Sequence, residues 1–417
     1  MLTHEQNDQL SRVEGDAPMG QLLRHWAWFP FALSEQIKPG DAPFRVRLVG
    51  SDYVAFRAPD GRIGFVDEAC PHRGVSLALA RNEGCVLRCI FHGWAIDVTG
   101  NVVEAPTHSG DSETFLSRIR SQHYPICEAA GLVWVWLGGD PVGEFPAMPF
   151  MELPGENVWM TVTRVDCNWL QGVEASLDSA HVGTLHKSWI PKLAASVRQG
   201  ATIALSLKAV APNYDVERKP FGLSATALRE LDDGSTYVRT TQYVAPFVNI
   251  VPGSEQSEGS IFMGVPIDDT HHLLFFGYFS DKIAFDENTP RVQALIGNGR
   301  VDRGNFAPFK GTREDRWGQD RALMDQGHFT GFGDNLLEED IVVQVSMGPI
   351  VDRTREHPSS SDVAIVQARM LLLRALRNRN AGEHPLAPHN RGWRAAEASP
   401  VDRVTPADQD WRTSVGA

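Results

Sequence analysis

The stretch ACPHRGVSLALARNEGCVLRCIFHGW, residues 69 to 94, sets Cys70 and His72 one residue apart and Cys89 and His92 two residues apart, with 16 residues between the pairs. Such short spacings let both side chains of a loop converge on one point. Two such loops facing each other make a site for a tetrahedral metal or a two-iron cluster. In a [2Fe-2S] centre of this ligand type the cysteines hold one iron and the histidines the other, and neutral imidazoles in place of thiolates raise the reduction potential. Gly74 and Gly93 follow the two pairs and would let backbone amides approach cluster sulfurs, which suits a redox centre. The competing reading is a structural zinc site. Five cysteines are too few, and an odd number, for a disulfide scaffold, so Cys85, Cys127 and Cys167 are expected as buried thiols.

The flanking sequence puts these loops in an all-β context. FRVRLVGSDYVAFRAPDGRIGFVDEAC alternates in short apolar runs about the reversal Pro59-Asp60-Gly61, and CVLRCIFHGWAIDVTGNVVEAP gives a second hairpin about Thr99-Gly100-Asn101. GLVWVWLGG adds an apolar strand, and the Pro- and Gly-rich GGDPVGEFPAMPFMELPGEN after it marks a boundary. Beyond it the pattern is mixed, with helices over 167–190 and 312–328, alternating strands over 200–285, and a capped helix in SSSDVAIVQARMLLLRALRNRN. The expected organisation is a helical N-terminal segment over 1–29, a small antiparallel β domain over 30–145, and an α+β domain over 146–417. With a net charge of -13, no apolar run of membrane-spanning length and no leader pattern, the chain is expected to be cytoplasmic, with neither nucleic acid nor membrane as a partner. An anionic substrate would then need a local cation.

In NWLQGVEASLDSAHVGTLH, residues 168 to 186, Asp178, His181 and His186 are spaced D-x2-H-x4-H. Two histidines and a distant carboxylate are the donor set for Fe(II) with open positions; the alternative is a pair of satisfied core histidines. At about 100° per residue, Asp178 and His181 lie roughly 60° apart on a regular helix, whereas His181 and His186 diverge by about 140°. The helix must therefore be bulged, or must end near His186 around Gly183. On the strand STYVRTTQYVAPF, alternation puts Tyr237, Arg239, Thr241 and Tyr243 on one face, and in TIALSLKAV it puts Lys208 with Ser206 and Ala204. Arg239 and Lys208 are thus candidate anchors for an aryl carboxylate, against the alternative of outward-facing charges.

CPHRG, CIFHGW and the interval between them resemble the Rieske domain of the Rieske non-haem iron aromatic-ring oxygenases. The likeness runs from MLTHEQNDQLSRV to the SDVAI helix and is nearest to the oxygenase component, the alpha subunit, of the phthalate dioxygenase type. It implies an α+β chain with an N-terminal all-β Rieske [2Fe-2S] domain, ligated by Cys70, His72, Cys89 and His92, and a C-terminal α+β catalytic domain of antiparallel sheet and helices, helix-grip-like. It also implies a mononuclear non-haem Fe(II) on His181, His186 and a third ligand. In EEDIVVQVSMGPIVDRTREH the family's acidic residue, before an apolar run and SMGPI-x-DRT-x-EH, maps onto Asp340 near a strand start, with Asp334, Glu338 and Glu339 as neighbours. Asp178 is implied as the catalytic carboxylate that bridges His181 to a Rieske histidine of the adjacent subunit, in a homotrimer or stacked hexamer. A separate NAD(P)H-dependent flavin and [2Fe-2S] reductase is implied as electron donor, since the chain has no dinucleotide fingerprint. The implied reaction uses O2 to cis-dihydroxylate a small aromatic acid such as phthalate, isophthalate or phenoxybenzoate. Monooxygenation, or O- or N-demethylation of a methoxy- or alkyl-substituted aromatic, is the alternative, and a bare Rieske electron carrier a third reading. Val345 stands where the family often has Glu, and Pro358 where Leu is usual, so the substrate itself does not carry over.

Overall fold

The computed structural model describes residues 2–139, 141–197, 202–253, 258–296, 302–378 and 393–414. Two helices open the chain where the sequence suggests one: α1 (His4–Ser11), capped by reciprocal bonds between Thr3 and Gln6, and α2 (Pro18–Trp26), with proline in its first turn. Ten strands follow: β1 (Trp28–Leu33), β2 (Phe44–Leu48), β3 (Ser51–Arg57), β4 (Ile63–Asp67), β5 (Arg81–Glu83), β6 (Val86–Arg88), β7 (Ala95–Asp97), β8 (Val102–Glu104), β9 (Ile126–Ala129) and β10 (Leu132–Trp136), with helix α3 (Ser112–Leu116) after β8. They pair antiparallel in three small sheets, β1-β10-β9, β2-β3-β4 and β5-β6-β7-β8. Both expected hairpins form, β3 to β4 and β7 to β8. The first Cys-His pair lies between β4 and β5, the second between β6 and β7.

The second domain is built on one large antiparallel sheet. Its strands are β11 (Val158–Val165), β12 (Asn213–Lys219), β13 (Gly222–Glu230), β14 (Thr236–Val244), β15 (Val248–Pro252), β16 (Glu258–Pro266), β17 (His272–Ser280) and β18 (Val401–Thr405). They run in the order β11-β17-β16-β15-β14-β13-β12, and β18 pairs with the first half of β14. Helices α4 (Trp169–Leu177), α5 (Val182–Leu185), α6 (Ile190–Ala195), α7 (Pro290–Leu295), α8 (Arg321–Asp325), α9 (Leu336–Ser346) and α10 (Val363–Asn378) complete it, with α4 lying across β15, β16 and β17. A single buried cluster runs from Leu10 through β1 and β10 to α4, the large sheet and α10, and Phe29 of β1 meets Phe247 at 5.6 Å between ring centres. A separate core of Val54, Leu87, Trp94 and Ile96 lies under the Cys-His loops.

Several expected elements form differently. The helix over 167–190 is broken into α4, α5 and α6, and 312–328 holds only a 3-10 turn at Arg316–Gly318 and the short α8. TIALSL is a 3-10 helix over Thr202–Leu207, not a strand. EEDIVVQV, whose β-branched run suggests a strand, lies in helix α9: Asn335 caps it, accepting from the Glu338 amide at 3.0 Å, and Glu338 and Glu339 place negative charge in its first turn.

Candidate metal centres and the cavity beside them

The two Cys-His loops fold as near-copies of each other. The Cys70 amide donates to Val75 O and the Gly74 amide to Cys70 O; in the second loop the Cys89 amide donates to Trp94 O and the Gly93 amide to Cys89 O. Gly74 and Gly93 both have φ of 74°, a left-handed conformation that suits a residue without Cβ. Their amides are bonded to the cysteine carbonyls. Cys70 and Cys89 are buried and free, and burial pushes the Cys70 thiol up to about 11. The rings of His72 and His92 lie 4.6 Å apart, His72 stacks on Trp94 at 4.4 Å, and His92 Nδ1 is buried without a hydrogen-bond partner among the described residues. Two thiols beside two imidazoles, one with an unused buried nitrogen, fit a [2Fe-2S] cluster bridging the loops. Of the remaining cysteines only Cys167 is buried; Cys85 and Cys127 are half-buried.

The second constellation arises where α4 ends. Asp178 leaves the helix with extended backbone, and a single helical turn, α5, separates His181 from His186. The break removes the divergence that a regular helix would impose. Gly183, inside α5, lets the 3-10 helix pack close against it: a Cβ there would sit 2.2 Å from Ser206 O. Asp340 comes from the first half of α9, and its Oδ1 lies 3.2 Å from His186 Nε2 and 3.7 Å from His181 Nε2. One donor atom from each of the three residues falls within 4.8 Å of the others.

The far nitrogen of each histidine meets a carboxylate. His181 Nδ1 is 3.3 Å from Asp178 Oδ2, and His186 Nδ1 is 2.8 Å from Glu339 Oε2, whose other oxygen accepts from Thr330 Oγ1. Burial works against charge on His186, but Asp340 and Glu339 outweigh it and push the imidazole up to about 9. The pocket between these carboxylates thus favours positive charge, and two imidazoles with one carboxylate fit a mononuclear iron. Asp178 also accepts from the amides of Ala180 and His181, at 2.7 and 3.2 Å.

One cavity includes Asp178, His181, His186 and Asp340 in its wall and extends over the sheet. Val251, Phe262, Leu274, Phe276, Leu295 and Leu336 make it largely apolar. Arg239 and Thr241 reach it from β14, as their shared strand face suggests, and Gln344 reaches it from α9 with a buried Oε1 that has no partner among the described residues. Lys208 is not brought there. It follows the 3-10 helix, is exposed, and is absent from the described lining. Asp334 and Glu338 stay outside the triad. Reading the sequence missed Glu339 as a partner of His186, and Asp402, whose side chain is 1% exposed and meets Arg239 Nη1 at 2.9 Å from the neighbouring strand β18. No local spacing signals either contact.

Residues 27–122 match the Rieske [2Fe-2S] domain, and residues 135–416 match the family described as LigXa C-terminal domain like. The chain is 37% identical to the phthalate 4,5-dioxygenase oxygenase subunit of Pseudomonas putida, over 99% of this chain and 94% of that one. It is 31% identical to the 3-chlorobenzoate-3,4-dioxygenase oxygenase subunit of Comamonas testosteroni, over 99% and 98%. Among solved structures, NdmB of Pseudomonas putida CBB5 superposes with a TM-score of 0.61 over 92% of this chain and 97% of that one, at 16% identity, a likeness of fold.

Proposed function

The chain belongs to the Rieske non-haem iron oxygenases of the phthalate dioxygenase type, and on that premise we propose that it cis-dihydroxylates a small aromatic carboxylate held in the cavity beside His181, His186 and Asp340. It is an oxidoreductase, the oxygenase subunit, with a Rieske [2Fe-2S] cluster and a mononuclear iron as cofactors and O2 as co-substrate. We assign the cluster to Cys70, His72, Cys89 and His92 and the iron to His181, His186 and Asp340. When bound, the cluster supplies single electrons and the iron an open coordination position at which O2 is activated.

The rest is work for the side chains. Asp178 and Glu339 hold the Nδ1 atoms of the two histidines, which turns both Nε2 atoms toward Asp340. The apolar walls keep water from the reacting ring, and Arg239 receives the substrate carboxylate through charge-assisted hydrogen bonds. The observation that carries the reading is the presence of the three-residue donor set and a buried arginine in one apolar cavity. The relatives' names, a phthalate and a chlorobenzoate dioxygenase, support both the acid and the double oxygenation. Electrons would come from a separate NAD(P)H-dependent flavin and [2Fe-2S] reductase. The chain would work as a homotrimer or stacked hexamer in which Asp178 faces a Rieske histidine of the neighbour; the exposed Ile90 and Phe91 beside His92 offer that loop an apolar contact surface.

Single-turnover product analysis tests the reading. The iron-loaded protein is reduced anaerobically and given O2 with a panel of benzoates, phthalate isomers, phenoxybenzoates and methoxybenzoates. A cis-dihydrodiol from an acid is the expected product. A phenol with formaldehyde would move the assignment to demethylation, and reoxidation of the cluster with no product from any acid would overturn the substrate class.

A further inference from the structure

Asp178 and Ser179 form the corner at which α4 stops, and two side chains from the large sheet hold that corner. Tyr214 on β12 stands across from Ala227 on β13, two residues before Arg229, so alternation puts Tyr214 and Arg229 on one face. Arg229 in turn stands across from Tyr237 on β14, which shares its face with the cavity-lining Arg239. The Tyr214 hydroxyl accepts from the Ser179 amide at 3.0 Å and has Asp178 Oδ1 at 3.5 Å. Arg229 Nη2 donates to Ser179 O at 2.7 Å, with Ser179 Oγ at 3.4 Å, and its Nε donates to Ala209 O at 2.9 Å. The peptide groups on either side of Ser179 are thus tied to the sheet.

What this fixes is the carboxylate next door. Arg229 is 1% exposed, and Asp178 is a carboxylate whose attraction favours its charge, so the buried guanidinium both grips the corner and draws the anion toward it. Asp178 Oδ1 accepts from the Ala180 amide at 2.7 Å, Oδ2 faces His181 Nδ1 at 3.3 Å, and the side chain still keeps 21% of its surface open. A carboxylate bound on both oxygens moves only if the corner that carries it moves. We infer that Tyr214 and Arg229 are positioning residues: they hold the Asp178 carboxylate where it meets His181 and a Rieske histidine of the adjacent subunit together, and so govern how fast an electron crosses from cluster to iron, without holding either centre. The inference rests on Asp178 being the bridge between the two centres.

The test uses Tyr214→Phe, Arg229→Met, Asp178→Asn and the double variant Asp178→Asn/Tyr214→Phe, each carrying both iron centres. Each protein is reduced anaerobically and mixed with O2 and whichever acid of the panel above reoxidises the wild-type cluster fastest, and the Rieske absorbance is followed by stopped flow. Tyr214→Phe and Arg229→Met should reoxidise at least about tenfold more slowly, with iron content and affinity for the acid within about twofold of the wild type. The double variant should be no slower than Asp178→Asn alone, because both changes act through one carboxylate. Hydrogen exchange over residues 178–181 of the resting protein, which needs no turnover, should be at least about tenfold faster in Tyr214→Phe. A wild-type rate in Tyr214→Phe, unchanged exchange, or a double variant slowed by the same further factor overturns the inference. So does a loss of iron or acid affinity large enough to account for the slowing. If Arg229→Met fails to fold, Tyr214→Phe, which removes a single hydroxyl, decides alone. Reoxidation of Asp178→Asn at the wild-type rate would sink the bridge itself, whereas a slow Asp178→Asn beside a fast Tyr214→Phe would keep the bridge and remove only its support.

Discussion

Glu339 and Asp340 are consecutive on α9, about 100° apart around the helix, and both reach His186, one at each ring nitrogen. The fully buried Glu339 fixes which nitrogen is left for a metal, so Glu339→Gln should weaken Fe(II) affinity by about 10–100-fold while leaving the Rieske spectrum unchanged. An iron titration followed by the restoration of turnover checks this, and equal affinity would remove Glu339 from the site. The sequence shows the Cys-His pairs and the Asp178, His181, His186 set because each is local, with every member within a few residues of the next. Asp340 is visible only through the likeness of its surroundings to a family motif. Glu339 is hidden because nothing in EED tells which acid turns inward; that depends on how α9 is rotated against α5.

At the scale of elements, α4 is fastened by charge. Glu174 on its buried face is bonded by Arg353 at 3.0 Å and by Arg369 of α10 at 2.7 Å, and Arg353 also reaches Asn7 and Ser11 of α1. Arg369 in turn holds Glu356, so the DRT-x-EH motif belongs to a buried network that seats the helix leading to Asp178. Burial opposes charge on Glu174, but the two guanidiniums outweigh it and hold its carboxyl below the ordinary glutamate value of 4.5. A depressed folded-state value means that this stabilisation is complete above 4.5 and is lost as pH falls through the folded-state value. Glu174→Gln should therefore destabilise the protein at neutral pH by about 3 kcal/mol, since it leaves the buried Arg353 without a carboxylate and Arg369 with Glu356 alone. Urea unfolding followed by circular dichroism should show the gap between wild type and variant narrowing as the pH is taken below that range. The same scale shows where local patterns mislead: the β-branched run of α9 and the alternation in TIALSL suggest strands, and the Asn335 cap and the contact of the 3-10 helix with Gly183 decide otherwise.

Across the whole molecule, one hydrophobic core joins β1 and β10 to the large sheet, so the Rieske domain is cemented to its own catalytic domain rather than hinged on it. If electrons pass between subunits, two defective chains should repair each other. Cys89→Ser, which removes a proposed cluster ligand, and His186→Ala, which removes a proposed iron ligand, should each be inactive alone and regain turnover when copurified in one mixed oligomer through two different tags. No recovery in a verified mixed assembly would place transfer within a single chain. The order of the two domains is legible from composition and punctuation, because a β-rich half and a mixed half differ in period. The pairing of β18 with β14 is not, since it joins residues 236–240 to 401–405 and only the folded register brings Asp402 to Arg239.

That register also separates two inheritances. Every side chain assigned to cluster or iron lies before β18 in the chain, whereas Asp402, the counter-charge of Arg239, sits on a strand with no assigned ligand. A substitution on that strand therefore reaches the cavity only through its pairing with β14.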